Sequence, residues 1–154
     1  MDLASALPDT AISLRVSAPD WRDAVRFAGQ ALVASGVTLP GYTEDMIDTI
    51  DRLGPYVVIA PGIALAHARP SSDVLRAGIS WVSLAHPVEF GNAANDPVLL
   101  VLGLAALDHD GHLELMAALA QVLADAELMR TALTATAPDQ LRSMLRSGDP
   151  SELN

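Results

Sequence analysis

From Pro97 to Ala106 the chain reads PVLLVLGLAA, ten residues without one polar side chain. A strand with no polar face cannot lie against water on either side. It is also well short of the roughly 18–20 residues that cross a bilayer. Such a run belongs in the middle of a sheet covered by helices on both faces. The stretch Pro55–Pro70, PYVVIAPGIALAHARP, has the same character but is broken once by Pro61-Gly62. Proline removes a donor from the strand ladder, so Tyr56 to Ala60 reads as one buried strand and Ile63 to Ala66 as its continuation or partner.

Two further strands follow from pattern. Ile12, Leu14 and Val16 alternate with Ser13 and Arg15 in AISLRV, the period of a half-buried strand. Gly78 to Leu84 is another apolar run. Helical spacing appears at Trp21, Ala24 or Val25, Ala28 and Leu32, with Ser17, Pro19 and Asp20 as a start and Gly36 as a stop. Met46, Ile47, Ile50 and Leu53 repeat similarly after the Pro40-Gly41 turn, with Thr43 as a cap and Gly54 at the end. Leu113, Met116, Ala120 and Leu123 mark a third helix, and Thr136 with Asp139 opens a last one that ends near Gly148. The resulting order is β, α, α, β, β, β, β, α, α. That predicts an α/β fold, a mixed sheet of about five strands sandwiched by helices, in one domain over residues 1–154 with the last six or so residues as a loose tail.

The net charge is −10, and the nine basic residues, all arginine, are scattered from Arg15 to Arg146. A nucleic-acid binder needs clustered cations to neutralise phosphates, so the charge argues against that class. With no cysteine there is neither a disulfide nor a thiolate nucleophile. The opening MDLASALPDT has no basic region leading into an apolar one, and a cytoplasmic location is the expectation.

Chemistry then falls to four histidines, His67, His86, His109 and His112, each placed after a predicted strand. Strand ends in open α/β sheets are where loops and helix N-termini meet to form sites. His112 lies at a predicted helix start, where unpaired N–H groups and the helix dipole attract an anion and favour a neutral imidazole. His67 is flanked by Ala66 and Ala68, which leave an approaching partner room to reach the ring. His86, before Pro87, reads as a surface turn residue, and His109 as a loop residue. Arg69 either adds a charge-assisted bond to a phosphoryl group or pairs with a carboxylate such as Asp73. A metal-binding hydrolase using His67, His109 and His112 with Asp108 or Asp110 is a second class the residue types permit.

GPYVVIAPGIALAHARP, Gly54 to Pro70, resembles the phosphorylation-site segment of IIA components of the bacterial phosphoenolpyruvate-dependent sugar phosphotransferase system, of the mannitol/fructose type. With Gly-Pro-Tyr ahead and Ala-Arg-Pro behind the histidine, it is most similar to the ascorbate-specific branch. The likeness runs from about Ala11 to Leu145, through Trp21, Pro87-Val88-Glu89-Phe90-Gly91 and the His112-Leu113 element. It implies the family's three-layer fold, His67 as phospho-acceptor and His112 as the second active-site histidine. It also implies the carrier HPr as donor, a IIB component as acceptor and an indirect link to a membrane IIC permease, with no cofactor or metal. Ala66 departs from the family, which has proline there; losing that φ restraint is expected to loosen the backbone that aims the ring and to alter its rate. A regulatory IIA relative, controlling a partner through its phosphorylation state, is the alternative within the same resemblance.

Overall fold

The computed structural model describes residues 2–147. A five-stranded sheet runs in the order β1-β4-β5-β3-β2, with β1 Ile12–Val16, β2 Val58–Ala60, β3 Ile63–Ala66, β4 Gly78–Val88 and β5 Val98–Ala105. The unbroken apolar run, β5, takes the central place. It pairs antiparallel to β4 and parallel to β3; β1 lies parallel to β4, and β2 antiparallel to β3. Pro61-Gly62 makes the β2–β3 turn, with Gly62 at φ +78°, a conformation that costs a residue without a Cβ little.

Helices cover both faces, as the apolar strands require. α1 (Trp21–Ala34) and α2 (Pro40–Leu53) share one buried cluster with Ala64, Ala66, Val101 and Ala105. α3 (His109–Leu123), α4 (Ala126–Ala132) and α5 (Pro138–Ser147) share the other with Leu65, Leu100, Leu102 and Leu104. Two short 3-10 turns, Ala4–Ala6 and Asp9–Ala11, lead the chain into β1 and close that second layer with Leu3 and Leu7.

Close approach on the first face depends on small residues. A Cβ at Gly29 of α1 would lie 2.1 Å from the Thr43 hydroxyl oxygen of α2. Beneath, the buried Ser80 hydroxyl of β4 donates to the Ala28 carbonyl at 2.8 Å, in space that a Cβ at Gly103 would fill.

Several element ends differ from expectation. Asp20, not Ser17, caps α1, accepting from Asp23 N at 2.9 Å. α2 begins at Pro40 itself, which has no N–H to leave unpaired in a first turn, and Thr43 is buried inside the helix rather than capping it. β4 continues four residues past Leu84, so His86 sits within a strand. α4 was not expected; Asp125 caps it, accepting from Leu128 N at 3.0 Å. Ahead of α5 the partner of Thr136 N is the Gln140 side chain, at 2.9 Å, rather than Asp139. The predicted stop at Gly148 and the predicted tail lie outside the described residues.

Candidate functional site

Strand parity decides which way the first histidine faces. Ile63 and Leu65 of β3 pack with Leu115 and Leu119 of α3, while Ala64 and Ala66 pack toward α1 and α2. Alternation places His67, the next odd residue, on the α3 side. Its ring is half-buried and held at fixed points. Nδ1 lies 3.0 Å from the Leu65 carbonyl oxygen. A carbonyl only accepts, so Nδ1 is the donor in this contact, and in the neutral ring the lone pair is then on Nε2. Tyr56 meets the ring edge-on, with centroids 5.8 Å apart and planes at 84°.

The second histidine arrives from the strand beside β3. β5 runs parallel to β3, their ladder closing at Ala66 opposite Gly103, and β5 itself ends two residues later at Ala105, so the helix that follows it starts near His67. That helix begins at His109, three residues earlier than expected, because Asp108 caps it and accepts from Gly111 N at 2.7 Å. His112 therefore stands in the first turn, and its ring centroid is 6.2 Å from that of His67. Both rings line one cleft of about 520 Å³, together with His109, Arg69, Tyr42 and Tyr56. His109 is thus a cleft residue at a helix start, not the loop residue expected. His86 does not line the cleft; it is exposed on β4, in the strand and not in a turn.

Arg69 is exposed and, among the described residues, forms no ion pair; Asp73, its expected carboxylate, packs instead against Gly41. The guanidinium borders both the histidine cleft and a neighbouring hollow of about 440 Å³ that holds Asp45, Asp48 and Arg52. Among the described residues no three histidine or carboxylate side chains converge as a metal-binding set, so the geometry gives the hydrolase alternative no ligand cluster.

Tyr42 was invisible to sequence reasoning. It enters from the first turn of α2, is 1% exposed, and its hydroxyl donates to the Leu104 carbonyl at 2.7 Å and accepts from Ala68 N at 3.0 Å. Burial, above all, pushes its pKa up to about 12, with the Ala68 contact opposing and Asp45 and Tyr56 adding to the rise. Leu53 and Tyr56 line the cleft as large apolar side chains 64% and 43% exposed, and Leu107 and Leu113, sequence neighbours of the cleft residues Asp108 and His112, are 55% and 52% exposed. Apolar exposure of that kind beside two imidazoles fits a protein surface better than a free small molecule.

The family described as "Phosphoenolpyruvate-dependent sugar phosphotransferase system, EIIA 2" matches residues 5–148. The mannitol-specific cryptic phosphotransferase enzyme IIA component of Escherichia coli K12 is 34% identical over 96% of this chain and 100% of its own length. A solution structure of an E. coli enzyme IIA of that description superposes with a TM-score of 0.84, at 33% identity, covering 96% of this chain and 99% of that one. The ascorbate-specific EIIA component of E. coli K12 is 39% identical over 74% of this chain and 75% of that protein. The mannitol IIA in complex with phosphorylated IIB from E. coli superposes at 0.79, at 27% identity over 91% of this chain and 96% of that one. On the match across nearly its whole length, the chain belongs to the EIIA 2 family of the phosphoenolpyruvate-dependent sugar phosphotransferase system.

Proposed function

We propose that the chain acts in the cytoplasm as one IIA unit that takes a phosphoryl group from the phosphohistidine of HPr onto Nε2 of His67 and gives it to a IIB component. The observation that carries this reading is the pairing of His67 with His112 in one open cleft, with Nδ1 of His67 already committed to the Leu65 carbonyl. The phosphocarrier role rests on family membership and HPr as donor on the family resemblance, while the residue roles rest on the site.

In the transfer, the Nε2 lone pair of His67 attacks phosphorus, the donor's phosphorus–nitrogen bond breaks, and the bonding pair leaves with the donor imidazole. Nδ1 keeps its proton, and the positive charge that grows on the ring is shared with the Leu65 carbonyl. Attacking and leaving nitrogens must be in line, and donors must face the three equatorial oxygens. His112, the uncapped N–H groups at the start of α3 and the unpaired Arg69 are the groups at hand for those oxygens. In the onward step a nucleophile of IIB attacks phosphorus, the phosphorus–Nε2 bond breaks, and that bonding pair returns to the His67 ring.

The exposed apolar side chains Leu53 and Tyr56 of the cleft, with Leu107 and Leu113 next to its residues in sequence, offer a contact surface for both partners, and Asp45, Asp48, Asp110 and Glu114 on the adjoining helices would attract a basic one. A relative of this fold held against phosphorylated IIB supports the second partner. The sugar itself never meets this chain. Ascorbate is the branch that the Gly54–Pro70 segment resembles, and a membrane IIC permease would be reached only through IIB.

The test is intact mass after incubation with phosphoenolpyruvate, enzyme I and HPr. One acid-labile phosphate is expected on the wild type, none on His67→Ala, and a phosphate that forms or leaves slowly on His112→Ala. A phosphate that persists on His67→Ala moves the acceptor elsewhere.

A further inference from the structure

The parallel ladder between β3 and β5 ends at Ala66 opposite Gly103. In parallel pairing, donors recur every second residue and reach the carbonyl one place before their partner. The next rung would therefore run from Ala68 N to the Leu104 carbonyl. That rung is present but split. Ala68 N donates to the Tyr42 hydroxyl at 3.0 Å, and the hydroxyl passes its own proton to Leu104 O at 2.7 Å. The Ala68 carbonyl, at 3.2 Å, is the longer competitor for that one proton.

We propose that Tyr42 is a positioning residue for His67, its hydroxyl acting as a spacer inserted in the rung that follows the histidine. A direct rung would draw residues 67 and 68 flat into the sheet. With one oxygen interposed, the N···O gap is wider than a direct hydrogen bond allows, so the chain splays from β5 while both backbone groups stay satisfied. The peptide that leaves His67 is thereby fixed from one side, and the Leu65 carbonyl fixes the ring from the other. Tyr42 has the rigidity that a spacer requires, because it is buried in the α1–α2 layer, one residue from the Gly29–Thr43 contact. Ala66 supplies no φ restraint of its own, which makes an external clamp on the next peptide the means of aiming the ring.

The rate part of the test rests on the phosphocarrier reading; the spectroscopic parts do not. Tyr42→Phe keeps the ring and removes the oxygen. The maximal rate of phosphate acceptance should fall about 10- to 100-fold, the scale for a reacting group misplaced by an ångström or so, with the KM for phospho-HPr unchanged. The ¹⁵N shifts of His67 should move from the Nδ1–H tautomer toward a mixture, and hydrogen exchange at the Ala68 amide should speed up. A variant that melts earlier but keeps the wild-type maximal rate and tautomer would reduce Tyr42 to a structural residue and overturn the proposal. Should Tyr42→Phe not fold, the wild type decides: a slowly exchanging Ala68 amide beside an Nδ1–H His67 supports the clamp, and exchange at the rate of a free peptide overturns it. If wild type takes no phosphate, the phosphocarrier reading fails while tautomer and exchange still judge Tyr42.

Discussion

The two faces of the sheet are packed by different means. Toward α1 and α2 the strands present, Leu84 apart, short or β-branched side chains, among them Ala64, Ala66, Val82, Val101 and Ala105. Toward α3, α4 and α5 they present Leu65, Leu100, Leu102 and Leu104, which meet Leu115, Leu119, Leu141 and Leu145. Short side chains bring the first helix layer near the strand backbones, where the Ser80 and Tyr42 hydroxyls reach main-chain carbonyls. Leucines on the second face bury area without directional bonds. One layer therefore fixes positions and the other mainly supplies burial, and the histidine cleft lies where both reach the ends of β3 and β5. Damage to the two faces should read out differently.

The largest effect belongs to the leucine face. Leu141 of α5 is fully buried, and α5 packs on β1 and the first 3-10 turn, at the sheet edge away from β3. Leu141→Ala should cost about 2–5 kcal/mol, the usual range for emptying such a site. Urea unfolding measures the loss. Phosphate acceptance per folded molecule should stay at the wild-type rate, and a parallel fall in that rate would erase the distinction between the faces.

Gly29→Ala is the converse. The new methyl meets Thr43, which is itself buried, so α1 and α2 must part or side chains must leave their rotamers, at about 1–3 kcal/mol. The stability loss is smaller than for Leu141→Ala, yet Tyr42 adjoins Thr43, and the rate per folded molecule should drop. Equal folded-state rates in the two variants would show that the α1–α2 spacing does not govern the cleft.

The sheet was legible because β5 and β3 carry their burial in their composition: a run with no polar face can only be central, and Pro61-Gly62 marked a break, although whether Ile63–Ala66 continued the strand or paired with it was decided only by the antiparallel β2–β3 ladder. His67 and His112 were legible singly. Their meeting was not readable from periodicity, since it depends on β5 lying parallel beside β3, and strand order leaves no trace in a hydropathy pattern; resemblance to a family supplied that link. The α4 helix has seven residues, too few for a period to stand out, and only Asp125 ahead of it signalled a start. Tyr42 was hidden for a different reason. Its hydroxyl joins residues 26 and 62 positions away, and nothing in Gly41-Tyr42-Thr43 shows that the ring turns inward toward them. Arg69 and His109 were seen as residues, but whether each faced the cleft depended on the helix start at His109 and on Asp73 lying elsewhere.

The smallest effect separates the faces by chemistry rather than by volume. Among the groups whose pKa departs from its ordinary value, Tyr42 is the one in the α1–α2 cluster, raised to about 12 because burial disfavours the phenolate. In the unfolded chain the same group ionises near 10. Between those two values the unfolded state has already released a proton that the folded state still holds. Stability from this group is therefore complete below pH 10 and is lost as pH rises toward 12. The expected loss between pH 9 and pH 11 is on the order of 1 kcal/mol relative to Tyr42→Phe, whose phenyl ring has nothing to ionise. Urea midpoints of wild type, Tyr42→Phe and Leu141→Ala at the two pH values measure it. Leu141→Ala should show the wild-type slope from a lower starting point, and Tyr42→Phe a shallower one. Should Tyr42→Phe keep the full wild-type slope, the hydroxyl is not held neutral between Ala68 and Leu104, and the directional half of the contrast between the two faces loses its best-placed bond.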